Sequence, residues 1–436
     1  MSDPARQPDP VPQPDPRTEA IAGITTFFTM AYIVVVNPSI LSTPGTGITF
    51  SGALTATVLV CFTLTLLMGL YARLPFAVAP GMGVNGFFTF NLILSRHIPW
   101  PTALGMVFWA GVLFLVLSVT PVRAAIVKAI PPSLRSATAV GIGVFLTFIG
   151  LRNTGLVAAD PITLVRLGVL DHRALLMILG LVVTLWLSER RNPLAYLAGI
   201  LSVTAVAVAA GMVQVPAHLF STPDFTSVFL KLDPWGALRL ALVPAVVSLM
   251  FTDLFDSLST FIGVAQASNM LDKDGNPMNL KQGLIVDALA TLGAGLFGTS
   301  SGTAYIESAA GINAGGRTGL TSVVTALCFL PCFFVAPLAG MVPAYASAPV
   351  LILIGAAMFK SVTAIDFGRL EDGLPAFLTI VLIPLTFSIT QGILWGFISH
   401  VGLYCLAGRR REVHPVMFIL AAISVGLLVL EHGPLS

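Results

Sequence analysis

The chain has 436 residues, of which 56% are apolar and 10% charged, and its 22 Lys and Arg against 20 Asp and Glu leave a net charge of +2. Soluble proteins carry roughly 25% charged residues, so the composition excludes an assembly of water-soluble domains, and the near-neutral balance excludes nucleic acid as a partner. The four cysteines, Cys61, Cys328, Cys332 and Cys405, sit in apolar runs without CxxC spacing or neighbouring histidines, so neither a metal site nor a disulfide framework is expected.

Residues 1–17 alternate proline with polar residues and lack an apolar core segment, which reads as a disordered cytoplasmic tail rather than a signal peptide. From about Ala20, apolar stretches long enough to cross a ~30 Å hydrocarbon layer recur between short polar breaks. They are numbered as spans 1 to 14: 20–41, 52–72, 76–94, 101–121, 134–151, 173–188, 193–212, 238–265, 282–298, 301–313, 317–340, 346–362, 373–388 and 390–407. A further apolar run, 415–431, can span, re-enter or lie at the interface. The chain is therefore expected to be an all-α polytopic membrane protein. Flipping sides at every span puts sixteen Lys and Arg on the side of the N-terminus and six on the other, which predicts a cytoplasmic N-terminus.

Spans 3 and 10 are poor helices. Span 3 contains Pro80, Gly81, Gly83 and Gly86, and span 10 runs through Ser300, Ser301, Gly302 and Thr303 to Gly311, with Gly315 and Gly316 beyond it. Non-helical backbone survives at membrane depth only where protein or a cavity satisfies it, and paired interruptions in two halves point to a transporter binding site. Third of seven and tenth of fourteen gives two repeats of seven spans, and an odd repeat must be inverted.

An acid inside a span costs roughly 2.5–3.5 kcal/mol on insertion scales, so each one is a functional candidate. Asp253 and Asp256 stand at i and i+3 in span 8, on one helix face with Thr260 a turn further on, and are expected to face one cavity. Glu307 lies in the break of span 10, which the repeat brings toward the break of span 3 and Asn85. No Lys or Arg lies in the interior of a span to pair with these acids. Asp287 and the Asn37-Pro38 pair read as structural. Asp272 to Pro277 looks like the start of a calcium loop but lacks its closing Glu, so a turn is expected. His97, His172, His218 and His414 fall in loops or at span ends, which argues against a catalytic histidine. No P-loop or hydrolase motif occurs, so an enzyme is not expected, no cofactor is implied, and ion gradients remain as the energy source.

Four stretches, GITTFFTMAYIVVVNPSIL, LPFAVAPGMGVNGFFTF, FTDLFDSLSTFIGVA and GTSSGTAYIESAAGINAGGRTGLTSV, resemble the AzgA-type guanine/hypoxanthine permeases of the nucleobase/ascorbate transporter superfamily. The similarity runs from about Thr18 to Pro415. The resemblance implies a core domain of spans 1–4 (18–121) and 8–11 (238–340), and a gate domain of spans 5–7 (134–212) and 12–14 (346–407). It also implies proton-coupled uptake of purine bases, with the purine, the proton and the lipid bilayer as partners, and a homodimer; the lack of a signal peptide and the short loops fit a bacterial inner membrane. Carried over, it puts substrate contacts at Asp253 and Glu307 with Asn85 and Asp256 in support, and Thr303, Tyr305 and Ser308 of the span 10 tract join the binding set. Gly302, Thr303 and Ala304 stand where the family often has more threonine, and Asn313 where it often has a small residue.

Hypoxanthine and guanine are flat, neutral and rich in N–H donors, so acceptor carboxylates suit them, and oxopurines are expected over adenine. A carboxyl group among other acids in a low-dielectric cavity can exchange a proton near neutral pH, which makes Asp253, Asp256 and Glu307 the proton-coupling candidates. A uracil or xanthine transporter of the same superfamily is the nearest alternative. An anion transporter of this fold would want a positive cavity, and the acids oppose it.

Overall fold

The computed structural model describes residues 15–120, 129–267, 270 and 278–432. Most of the expected tail, and the 272–277 turn, lie outside the described residues. Every expected span coincides with a helix or with a strand followed by a half-helix. Among the described residues nine helices are long and apolar enough to cross a membrane: Pro16–Leu41, Phe50–Ala72, Trp100–Val119, Pro132–Asn153, His172–Glu189, Leu240–Ile262, Leu280–Phe297, Ala344–Ala364 and Ile389–Leu406. Shorter helices, Met82–Ser95, Ala195–Ala209, Gly319–Phe334 and Leu370–Leu385, supply spans 3, 7, 11 and 13.

Span 1 starts at Pro16, inside the stretch read as tail, because Asp15 accepts from the Arg17 N–H and proline suits the first helical turn. The helix is interrupted at Ala31 and Tyr32, and resumes over Ile33–Leu41. The all-α reading needs one amendment. Two small antiparallel sheets are present: β1 (Val78–Pro80) with β4 (Gly302–Ala304), and a hairpin of β2 (Val157–Asp160) with β3 (Leu164–Leu167) in the loop between spans 5 and 6.

The helices sort into two packing groups. Span 1 packs on spans 10 and 11, span 2 on spans 9 and 11, and span 4 on spans 8 and 9. Span 5 packs on spans 12, 13 and 14, and span 6 on spans 7 and 12. Helix Pro415–His432 packs along span 14 and also reaches the turn Leu240–Leu242 at the start of span 8. The 415–431 run is thus an apolar helix laid against the bundle at two levels.

Close helix crossings rest on glycine, as van der Waals packing between membrane helices requires. A Cβ on Gly319 would fall 2.0 Å from the Gly69 carbonyl oxygen, and one on Gly69 would fall 2.5 Å from that of Gly319. Both obstacles are backbone. Gly319→Ala is expected to force spans 2 and 11 apart and lower the unfolding temperature of detergent-solubilised protein by several degrees, a cost of about 1–3 kcal/mol. An unchanged melting curve would contradict the tight crossing.

The loop before span 8 is pinned by Asp224. Its carboxylate accepts from the Ser51 and Ser227 hydroxyls (3.0 and 2.7 Å) and from the Thr226 and Ser227 N–H groups (3.0 and 3.1 Å). Burial alone would raise this carboxyl group, but the Ser227 and Ser51 donors hold it well below the usual carboxylate range. A depressed acid stabilises the fold above its unfolded pKa and loses that contribution as pH falls through the folded value. Asp224→Asn should therefore lower stability by about 1–2 kcal/mol at pH 7, with the gap to the parent protein closing below about pH 4, as thermal unfolding across pH would record.

Candidate substrate site

The two interrupted spans meet. β1 and β4 pair as Val78↔Ala304, Ala79↔Thr303 and Pro80↔Gly302, and the ladder continues through Gly81 N–H to the Ser301 carbonyl (2.7 Å) and Tyr305 N–H to the Ala77 carbonyl (2.9 Å). Thr65 of span 2 accepts from the Val78 N–H and lies within hydrogen-bond distance of its carbonyl (2.9 and 3.0 Å). Ser308 accepts from the Ala77 N–H (3.0 Å). Backbone that helices leave unpaired is thus satisfied by the other repeat and by neighbouring hydroxyls, as membrane depth demands. Half-helices leave the two breaks at Met82–Gly86, continued by wider π-helical turns over Phe87–Ser95, and at Ser308–Asn313.

Four carboxyl groups gather around this junction, and they divide by role. Asp253 is 1% exposed, and its two oxygens accept from the Ser301 hydroxyl (2.7 Å) and the Thr291 hydroxyl (2.9 Å). Asp287 is fully buried and accepts from the Ala304 N–H (3.1 Å). These two acids hold β4 and the turn before it. Asp256 and Glu307 are only partly buried, and their neighbours Ser259 and Ile306 are exposed. Asp256 lies close enough to Glu307 for their charges to interact. Asp253 and Asp287 both lie close enough to Asp256 to interact in the same way, so the i, i+3 pair belongs to one acidic cluster.

The remaining candidates fall into place around them. Asn85 is fully buried, and neither its oxygen nor its nitrogen has a hydrogen-bond partner. Unsatisfied buried amides are rare enough to demand an explanation, and this one offers a donor and an acceptor beside the break. Tyr305 donates to the Pro80 carbonyl and Thr303 pairs with the Ser257 hydroxyl at 3.3 Å, so both brace the strands, as does Ser308. Asn37 donates to Thr57 and Thr299 (2.7 and 2.9 Å), a structural arrangement. Arg317 donates to the Ile312 and Gly316 carbonyls at the end of the span 10 half-helix. No ion pair among the described residues involves the four junction acids.

Three groups escaped the sequence reading. Tyr32, at the interruption of span 1, donates to Glu307 Oε1 at 2.6 Å. Its signal was a hydroxyl in the middle of an apolar span. Glu19 is buried and accepts from the Arg317 and Thr318 N–H groups (2.9 and 3.1 Å), neutralising the start of span 11. His400 lies within span 14, with its Nδ1 3.9 Å from Asp372, and lines a separate cavity of about 370 Å³ with Tyr404, Glu412 and His414.

Residues 17–394 match the permease family Xan_ur_permease. The chain belongs to this family. As a member of the nucleobase/ascorbate superfamily, the permease is a membrane transporter, not an enzyme. It is 40% identical over 410 residues to adenine permease AdeP of Escherichia coli, covering 94% of this chain and 92% of that one. It is 38% identical over 416 residues to guanine/hypoxanthine permease PbuO of Bacillus subtilis, covering 93% and 96%. The permease also superposes on the transmembrane domain of the cyanobacterial bicarbonate transporter BicA with a TM-score of 0.65, at 17% identity, covering 87% of this chain and 97% of that one. That likeness concerns the fold alone, a bundle built from inverted repeats.

Proposed function

We propose that the permease imports purine nucleobases with protons, by alternating access of the site between spans 3, 8 and 10. The observation that carries the reading is the acidic junction itself: partly buried Asp256 and Glu307, an unpartnered Asn85 amide, and, among the described residues, no buried Lys or Arg beside them. A neutral base rich in N–H donors suits that set, and an anion does not, although BicA has the same fold. The names of AdeP and PbuO support adenine, guanine and hypoxanthine over uracil or xanthine. They also bring adenine into the range beside hypoxanthine and guanine.

Glu307 takes purine N–H groups and Asn85 reads the remaining edge, while Asp253 acts indirectly by orienting Ser301. Asp256, beside Glu307, carries the coupling proton. Spans 1–4 with 8–11 form the core that holds the substrate, and spans 5–7 with 12–14 form the gate; the two packing groups support this division. Span 3 meets span 5 through glycines, where a Cβ on Gly83 would fall 2.3 Å from Ile142, a surface smooth enough to slide. The Lys and Arg distribution supports a cytoplasmic N-terminus, the resemblance supports a homodimer, and the short loops fit a bacterial inner membrane.

The test is radiolabelled hypoxanthine uptake into proteoliposomes under an inward proton gradient, competed by guanine, adenine, uracil and sulfate. Gradient-driven uptake blocked by purines and untouched by uracil and sulfate is expected. Stronger competition by adenine than by guanine would place the permease with the adenine transporters. Competition by uracil or sulfate would overturn the purine reading.

A further inference from the structure

Glu307 does not stand alone, and its partner touches the gate. The Tyr32 hydroxyl donates to Glu307 Oε1 at 2.6 Å, and the Tyr32 side chain is buried, 1% exposed. The ring of Tyr196, from the first turn of span 7, lies 5.2 Å from the Tyr32 ring at 53°. Span 7 otherwise packs on spans 6 and 12 of the second packing group, and it meets span 1 here. Tyr32 itself sits at the short turn between the two helical segments of span 1.

We propose that Tyr32 and Tyr196 form a positioning relay through which the gate sets the readiness of Glu307 for substrate. This rests on the purine reading of the site. With Tyr196 against Tyr32, the hydroxyl holds Oε1 and the carboxylate is oriented with its other oxygen turned to the ligand, a pre-organised acceptor. When span 7 withdraws, Tyr32 loses its support, the carboxylate loses its orientation, and the site weakens. Affinity then differs between the two gate positions, which is what release after translocation needs. The relay residues act through Glu307 and do not themselves touch the purine.

The test uses the full chain in proteoliposomes with radiolabelled hypoxanthine, and reads KM and Vmax separately. Tyr32→Phe, which keeps the ring and removes the donor, should raise KM about tenfold with Vmax within about twofold. Tyr196→Phe should behave as the parent, while Tyr196→Ala should reproduce the KM rise. The double variant Tyr32→Phe with Tyr196→Ala should be no worse than either alone, the signature of two residues acting through one contact. Multiplying effects, or an unchanged KM in Tyr32→Phe, would overturn the relay. Should Tyr196→Ala fail to fold, Tyr196→Leu, which removes the ring that Tyr32 packs on without leaving a large void, carries the same expectation. A second readout needs no substrate: the infrared band of the Glu307 carboxyl group, assigned through Glu307→Gln, should shift in Tyr196→Ala and not in Tyr196→Phe. An unmoved band overturns the relay even if the parent protein transports no purine, in which event the purine reading fails separately.

Discussion

Glu307→Gln is expected to abolish high-affinity purine binding while leaving the permease folded. Glutamine has the same shape, and its carbonyl oxygen can still accept from the Tyr32 hydroxyl that holds Oε1 at 2.6 Å. The amide nitrogen then stands where the second carboxylate oxygen was, and it presents donors to the donors of the base. Hydrogen bonds to a charged acceptor contribute about 1.5–3 kcal/mol each, and the substitution also introduces a donor-donor conflict. A loss of about a hundredfold or more follows. Calorimetric titration of purified protein with hypoxanthine would measure it, alongside a melting curve unchanged within a few degrees. Retained affinity would remove Glu307 from the site.

Asp256→Asn should separate coupling from binding. This residue is partly buried and close enough to Glu307 for their charges to interact, and none of the bonds described above that hold β4 in place runs through it. One proton per purine at 100 mV supplies ~2.3 kcal/mol, about fiftyfold accumulation of a neutral base. The variant is expected to accumulate almost none, because the charge that follows the potential is gone. Purine exchange between equal concentrations on the two sides should persist, with affinity within about fivefold of the parent. Uptake that still rises with the imposed gradient would move the proton site elsewhere in the cluster.

The spans and both breaks were legible because each leaves a local mark: apolar length for the helices, Pro80, Gly81 and the Ser-Gly-Thr tract for the interruptions. What the acids do was less legible. Residues at i and i+3 are neighbours on a helix surface, but that spacing does not reveal which elements flank them. Asp253 accepts from Ser301 and Thr291, partners that spans 10 and 9 bring to it and that the spacing alone does not show. Tyr32 was hidden for a similar reason, since its partner is 275 positions away and a lone tyrosine in an apolar run has no periodic signature. Glu19 was missed because it lies near the end of a span, where an acid looks solvated; its donors come from the turn before span 11. His400 carried a plain signal, an imidazole inside span 14.

The strand pairing at the centre of the permease has a consequence for its biogenesis. Val78–Pro80 finds its partner only when Gly302–Ala304 is in place, and Tyr305 follows Pro80 by 225 residues. At a synthesis rate of about 5–20 residues per second, the first half waits roughly ten to forty-five seconds with an unpaired edge in the bilayer. During that interval it needs shelter, from the insertion machinery or from water drawn to the exposed amides. Neither half is a folding unit on its own. Halves severed between spans 7 and 8 should be degraded when made singly and rescued when made together, each acting as the missing template of the other.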